Sequence, residues 1–192
     1  MNNLKIGIVG TGNVTTQSYL PYLSQEPDVA LGYFNRTHDK TVACAAQFGG
    51  TAFDTLDALM AWQPDAVMIL TRETQRLDAT RAVLRHRPKR LFFEKPLVAA
   101  QGQENVSEQD FLDAKRLMAQ ADAMGCETAM VFNYRFFEHS LLAKRIVEER
   151  GFGTVRNISG LVHYACWSHC IDTNKPNQRY AHRATQYRLE SQ

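Results

Sequence analysis

The chain has 192 residues, of which 44% are hydrophobic and 22% are charged, and its formal net charge is +2. These values are ordinary for a globular protein and leave room for one complete domain and part of a second. So small a charge gives no reason to expect nucleic acid or a membrane as a partner, and no apolar run approaches the ~20 residues that span a bilayer. Four irregularly spaced cysteines, and an N-terminus without a signal-peptide pattern, predict a reduced, cytoplasmic setting.

Apolar strands alternate with helical patterns from the first residues onward. Strands are predicted at 4–9, 29–34, 51–53, 65–70, 90–93 and 126–132, and helices at 14–23, 38–48, 55–62, 74–86 and 107–125. Pro21 predicts a kink or an early end in the first helix, and Ser107 with Asp110 predicts a capping box at the start of the last. A helix over 136–153 and a strand over 154–165 follow.

This alternation predicts an α/β fold with a doubly wound parallel sheet of the Rossmann type, because right-handed crossovers place helices on both faces of the sheet. Ligands of such sheets bind beyond the carboxyl ends of the strands. The residues that directly follow the strands are therefore the first candidates for a site.

A glycine-rich turn follows the first strand. Gly10-Thr11-Gly12-Asn13-Val14-Thr15 fits the pattern G-x-G-x-x-G except at its last position. The first glycine permits a tight turn, the second lets the backbone approach a pyrophosphate, and the helix that follows offers amide N–H groups. The alternative is a plain glycine turn, but the position between a strand and a helix favours a dinucleotide site.

The second strand ends without a carboxylate. An NAD site is expected to place an acid there for the ribose hydroxyls, whereas this chain has Asn35, Arg36 and Thr37. The guanidinium of Arg36 is suited to a 2′-phosphate, so the sequence favours NADP over NAD. The alternative interpretation is a solvated surface arginine.

Two charged residues and a proline, Glu94-Lys95-Pro96, follow the apolar strand at 90–93. They are either a strand cap that turns to solvent or part of a pocket. Since ligands bind at the carboxyl ends of such strands, the second interpretation is favoured for Lys95.

Together these segments resemble a known family. "GIVGTGNV", "FNRT", "FFEKPL" and "FNYRF" occur in the order found in the Gfo/Idh/MocA family of NAD(P)-dependent oxidoreductases, and a later "HCID" fits its H-x-x-D pattern. The resemblance covers about residues 4–172. It implies hydride transfer between a nicotinamide cofactor and a sugar, polyol or related hydroxy or carbonyl compound. It also implies an α+β substrate domain after the Rossmann domain.

The resemblance also assigns roles to residues. Lys95 and His169 would be catalytic, and Asn133, Tyr134 and Asp172 would bind substrate. The cofactor would be held by Gly10, Thr11, Gly12, Asn13, Val14, Asn35, Arg36, Thr71, Glu94 and Lys95. Glu94 would also brace its loop, and Pro96 would follow a cis peptide bond. For Tyr134 and Phe136 the alternative is core packing.

The chain departs from the family pattern at three positions. Arg72 and Arg76 stand after the fourth strand where the family often has a proline and a histidine. Ala165 stands four residues before His169, where sugar and polyol dehydrogenases of the family often have an aspartate. A polyol substrate is therefore disfavoured.

The length implies an incomplete second domain. We expect a dinucleotide-binding Rossmann domain at 1–125, the beginning of the α+β domain at 126–172, and an atypical polar tail at 173–192 whose only large aliphatic residue is Leu189. On this interpretation the chain is truncated and a poor or inactive catalyst. The homo-oligomer typical of full-length members is not expected, since the sheet that usually forms its interface is missing.

Two rival interpretations stay open. His163, Cys166, His169 and Cys170 are candidate zinc ligands, but their spacing is too tight for one ion to collect all four easily. A non-catalytic NAD(P)-binding sensor or regulatory module is the second rival. Lys95 distinguishes an enzyme from a cofactor sensor, because an enzyme needs this lysine and a sensor does not.

Overall fold

The computed structural model describes residues 4–154 and 156. Contacts divide the chain into two compact units, one ending at Val131 and the other beginning at Phe132. The predictions made for His169, Asp172, the zinc cluster and the polar tail lie outside the described residues. Across the described part of the chain, no helix combines the length and apolar character needed to cross a bilayer.

The first unit is built on a six-stranded sheet. Its strands are β1 (Leu4–Val9), β2 (Val29–Phe34), β3 (Thr51–Ala52), β4 (Ala66–Ile69), β5 (Arg90–Phe93) and β6 (Glu127–Met130). All neighbouring strands are parallel, in the order β3-β2-β1-β4-β5-β6. This is the strand order of the Rossmann fold, so the predicted fold class is confirmed. β6 follows the predicted domain boundary at residue 125 and pairs with β5 in this sheet.

Helices connect the strands on both faces. They are α1 (Leu20–Leu23), α2 (His38–Phe48), α3 (Leu56–Ala61), α4 (Glu73–Leu84) and α5 (Glu108–Ala123). A π-helical turn, Thr15–Tyr19, leads directly into α1, and Pro21 lies in the first turn of α1. A kink or an early end was predicted near Pro21. The structure has a change from π-helical to α-helical turns there, and the helix ends at Leu23.

The sheet separates two apolar clusters. Because side chains alternate along a strand, Val67 and Ile69 face one cluster while Met68 faces the other. The first cluster takes residues from α3, α4 and α5, and the second from α1 and α2. Each fully buried aliphatic side chain contributes roughly 1.5–3 kcal/mol, so burial on both faces holds the strand ends of this sheet in place.

Local capping fixes two helix starts. The Thr55 hydroxyl accepts a hydrogen bond from the Ala58 amide at 3.0 Å at the start of α3. At α5, the Ser107 hydroxyl accepts from the Asp110 amide at 3.3 Å, and the Asp110 carboxylate accepts from the Ser107 amide at 2.8 Å. The capping box predicted for α5 is therefore present.

The second unit begins with a 3₁₀ turn, Asn133–Phe136, followed by α6 (Glu138–Arg150). Gly151 ends α6 in the left-handed conformation, with φ of 58°, as a glycine after a helix commonly does. The helix predicted over 136–153 is thus present in a shorter form. The strand predicted over 154–165 lies almost entirely outside the described residues.

Candidate cofactor and active site

The strand register places several candidate residues along one edge of the sheet. Phe34 lies beside Val9, Val9 beside Ile69, and Ile69 beside Phe93. Backbone hydrogen bonds continue this alignment by one residue: the Gly10 amide donates to Phe34 O at 2.9 Å, and the Glu94 amide donates to Ile69 O at 3.4 Å. The residues that follow four strands are therefore brought together at the edge where ligands of this fold bind.

Gly10 is required by the fold itself. Its φ is +101°, a conformation that other residues rarely adopt. A Cβ at this position would lie 2.8 Å from the Thr71 amide nitrogen, closer than real contacts allow. The turn after β1 consequently passes directly against the residue that follows β4.

Gly12 is different, because protein packing does not explain it. A Cβ added there would meet no atom of the described chain within 4 Å, and its φ is not positive. A glycine that the fold does not need leaves open space beside the first helical turn. The amides of that turn have no partner within the helix and can bind an anion.

Thr15 occupies the position of the missing third glycine. Its side chain is fully buried, and its hydroxyl donates to Gly10 O at 2.6 Å. The threonine therefore closes the glycine turn with a hydrogen bond, where a glycine would only have left space for packing.

Two buried hydroxyls beside this turn lack partners. Among the described residues, neither Thr11 Oγ1 nor Thr71 Oγ1 makes a hydrogen bond. Buried polar groups are normally satisfied, so these two hydroxyls keep an unused capacity for hydrogen bonding beside the glycine turn. The open space at Gly12 leaves room for the phosphates of a dinucleotide.

The end of β2 presents a cation. The Asn35 side-chain amide donates to Thr37 O at 3.2 Å, and Arg36 is exposed. Within residues 4–154, Arg36 has no salt-bridge partner. Its guanidinium is therefore available to an anionic group at this edge.

Lys95 lies at the end of β5 with an exposed side chain, and the peptide bond to Pro96 is cis. Its backbone amide donates to Glu94 Oε2 at 2.9 Å. The other carboxylate oxygen, Glu94 Oε1, accepts from the Tyr19 hydroxyl at 2.8 Å. Glu94 thus links the helix after the glycine turn to the loop that carries Lys95.

Tyr19 is a donor in this contact. Its ring meets Phe92 edge to face at a centroid distance of 6.1 Å. Burial, followed by the hydrogen bond to Glu94, raises the pKa of the Tyr19 hydroxyl well above its usual range. The hydroxyl therefore stays protonated at neutral pH.

Arg76 is the site residue whose role was not predicted from the sequence. It is only 3% exposed, and its guanidinium donates to Thr71 O at 2.5 Å and to Pro96 O. Burial lowers the pKa of Arg76, while the neighbouring Glu94 carboxylate opposes that shift. The available signal was its spacing from Thr80 and Val83, which places it on the buried face of α4.

The structure brings together the predicted site residues of the first unit. The shared edge holds Gly10, Thr11, Gly12, Asn13, Val14, Asn35, Arg36, Thr71, Glu94 and Lys95. Asn133 and Tyr134 belong to the 3₁₀ turn of the second unit. In the described part of the chain, Tyr134 and Phe136 are 65% and 66% exposed, so they do not pack into a core there.

Known proteins give an independent comparison. The model of an oxidoreductase family with an NAD-binding Rossmann fold, Gfo/Idh/MocA, matches residues 4–131. No curated protein sequence matches the chain.

Solved structures share the fold. A 3-ketoreductase from Actinomadura kijaniata, KijD10, in complex with NADP and TDP-benzene, is 23% identical with a TM-score of 0.63, over 81% of this chain and 45% of its own. UDP-N-acetylglucosamine 3-dehydrogenase GnnA from Acidithiobacillus ferrooxidans is 22% identical with a TM-score of 0.64, over 81% and 46%. A Gfo/Idh/MocA oxidoreductase from Vibrio cholerae is 25% identical with a TM-score of 0.62, over 77% and 44%.

The chain therefore spans less than half the length of these relatives. The family match covers two thirds of it and coincides with the unit that carries the glycine turn, Arg36 and Lys95. The chain belongs to the Gfo/Idh/MocA oxidoreductase family, and residues 4–131 are its NAD-binding Rossmann domain.

Proposed function

We propose that the protein binds NADP in preference to NAD and takes part in hydride transfer to or from a sugar-type hydroxyl or ketone. One observation supports this most strongly. A single edge of the sheet carries an open glycine turn, an exposed arginine with no acid beside it, and an exposed lysine.

The cofactor-binding residues follow from that edge. The amides after Gly12 would bind the pyrophosphate, since they lie at a helix N-terminus and no side chain covers them at position 12. Arg36 would pair with the 2′-phosphate, and the Thr71 hydroxyl would gain a partner. The nicotinamide, when bound, accepts or donates the hydride.

Lys95 would act on the substrate oxygen. When a hydroxyl is oxidised, its carbon loses a hydride and its oxygen loses a proton. The Lys95 ammonium is suited to hydrogen-bond that oxygen and to stabilise the negative charge that develops on it. His169, assigned by the family resemblance, is our candidate to accept the proton, because an imidazole titrates near neutral pH.

The substrate class is supported by the relatives named above. One is a 3-ketoreductase solved with NADP and TDP-benzene, and another is a UDP-N-acetylglucosamine 3-dehydrogenase. A sugar, or a sugar carried on a nucleotide, is therefore our first choice. Ala165 does not separate a sugar from a polyol, because sugar and polyol dehydrogenases of the family alike often have an aspartate at this position, so the relatives alone support the choice of a sugar.

Cofactor binding is tested with Gly12→Val. With the wild-type protein, added NADPH should change the fluorescence until binding saturates. In Gly12→Val the affinity for NADPH should be about a hundredfold lower, because the valine side chain occupies space that the pyrophosphate needs. The urea midpoint should change by far less than NADPH affinity, because a Cβ at Gly12 touches nothing in the described protein. Equal NADPH affinity in the two proteins would remove the glycine turn from the site.

Hydride transfer is tested with Lys95→Met, which keeps most of the length of the side chain and removes its charge. Transfer of deuterium from labelled NADPH to keto-sugars and their nucleotide derivatives, followed by mass spectrometry, should fall by about a hundredfold or more. NADPH affinity should fall by a much smaller factor than transfer, because the glycine turn and Arg36 remain in place. Binding without transfer by the wild-type protein, for every compound and in both directions, would contradict catalysis and favour a cofactor sensor or an inactive chain.

A further inference from the structure

We propose that Arg76 is a positioning residue. Its guanidinium joins the loop that carries Lys95 to Thr71, the residue that lies against the glycine turn. The consequence for catalysis depends on the proposed function, but the structural role does not. Nothing in the family resemblance assigns this role, since the position is one where the chain departs from the family pattern.

The first support is geometric. Arg76 lies in the first turns of α4, and its guanidinium reaches two loops that follow different strands. One nitrogen donates to Thr71 O at 2.5 Å after β4, and the other donates to Pro96 O after β5. Thr71 is also the residue that a Cβ at Gly10 would strike. A single side chain therefore links the glycine-turn contact to the residue next to Lys95.

The second support is how Lys95 is flanked. On one side, Glu94 is held by Ile69 O through its amide and by Tyr19 through its carboxylate. On the other side, Pro96 is held by Arg76. The side chain of Lys95 is exposed, yet both of its neighbours are fixed by groups from other elements. Such an arrangement fixes the backbone from which the ammonium group of Lys95 extends.

The third support is the free-energy cost of burying the Arg76 side chain. Taking a guanidinium out of water is unfavourable unless its charge is paired and hydrogen-bonded. Arg76 is 97% buried, forms no salt bridge among the described residues, and has one nitrogen, Nε, without a hydrogen-bond partner there. Its planar fork suits two separate carbonyls at once, which a lysine ammonium does not match. The residue type is therefore better explained by the arrangement of the loops than by stability.

The test uses two variants and one control on the same helix. Arg76→Met removes the charge and keeps the bulk, and Arg76→Lys keeps the charge and loses the fork. Arg85→Met is the control, because Arg85 lies at the end of α4 and is exposed.

The first measurement is amide hydrogen exchange by NMR without cofactor. The amides of Glu94 and Lys95 should exchange about tenfold faster in both Arg76 variants, since local opening becomes easier when a loop loses its anchor. Exchange in β1 should stay unchanged, and the control should match the wild type throughout. Unchanged exchange at Glu94 and Lys95 would overturn the proposal. Unfolding of both variants would overturn it too, because Arg76 would then be a stability residue.

The second measurement follows the Lys95 side chain. The lysine side chains are labelled by reductive ¹³C-methylation. The NMR signal of Lys95 is the one that is missing from the spectrum of Lys95→Arg. Saturating NADPH should shift this signal in the wild type and in Arg85→Met, and the shift should be at least halved in Arg76→Met. The same full shift in Arg76→Met would contradict the positioning role. If the wild type bound no NADPH, the proposed function would fail, while the exchange experiment would still decide the role of Arg76.

Discussion

At the scale of single residues, the two glycines of the turn have different physical origins. Gly10 is demanded by its positive φ and by the Thr71 backbone, so it belongs to the fold. Gly12 has free space around it, so packing does not explain its identity, whereas the proposed pyrophosphate contact would. The motif predicts a different role for each glycine, and the structure adds the backbone conformation and the free space on which those roles depend.

Arg36 is the residue expected to set the choice of cofactor. Arg36→Ala should weaken NADPH binding by about tenfold or more and leave NADH binding nearly unchanged, because only NADPH has the 2′-phosphate that the guanidinium would pair with. Lys40→Ala, which removes another exposed cation from the start of α2, is the matched control for general electrostatics. Fluorescence titration with both cofactors measures the effect. Loss of NADH and NADPH affinity by the same factor would show that Arg36 does not contact the 2′-phosphate.

At the scale of elements, α5 is held at its start by one carboxylate. Asp110 is 4% exposed, and it accepts hydrogen bonds from the Ala100 amide at 2.8 Å and from the Ser107 amide at 2.8 Å. These bonds, with that from Ala100 the largest cause, hold the pKa of Asp110 below its usual value. The carboxylate thereby connects the loop that follows Lys95 to a helix of the core.

Removing that charge should therefore destabilise the protein in a pH-dependent way. Asp110→Asn should lower the free energy of unfolding by about 1–2 kcal/mol near neutral pH. Because the folded pKa is depressed, the stabilisation is complete above the unfolded value of about 3.9 and is lost as the pH falls through the folded pKa. Urea denaturation of the wild type and Asp110→Asn across this pH range measures the effect. The difference between their free energies of unfolding should become smaller below about pH 4.

Asp122→Asn provides the comparison, since Asp122 is exposed near the other end of α5. Asp122→Asn should keep the free energy of unfolding of the wild type at every pH measured. A constant difference between wild type and Asp110→Asn down to low pH would mean that the charge of Asp110 plays no part.

At the scale of the whole molecule, a cofactor that binds only the folded state must stabilise it. NADPH at about 100 times its Kd should raise the free energy of unfolding by about 2.7 kcal/mol. The measurement is urea denaturation with and without NADPH, and Gly12→Val should show almost no increase at the same concentration. Saturable binding with no stabilisation of the wild type would indicate that NADPH binds the unfolded chain equally well.

The sequence by itself determined the features that depend on neighbouring residues. Apolar runs and helical spacing defined the strands and helices, and Ser107 with Asp110 defined the start of α5, because capping acts within one helical turn. The glycine turn, Arg36 and Lys95 were placed at a common edge from the rule that parallel strands share their carboxyl ends.

Only the tertiary structure decided the contacts between distant segments. Tyr19 meets Glu94 across 75 positions of sequence, and Arg76 meets Pro96 across 20. No periodicity encodes these pairings, since they depend on which loops the folded sheet brings side by side. In the sequence, Arg76 was only a departure from a family pattern that often has a histidine, and in the folded protein it joins the two loops around the candidate site.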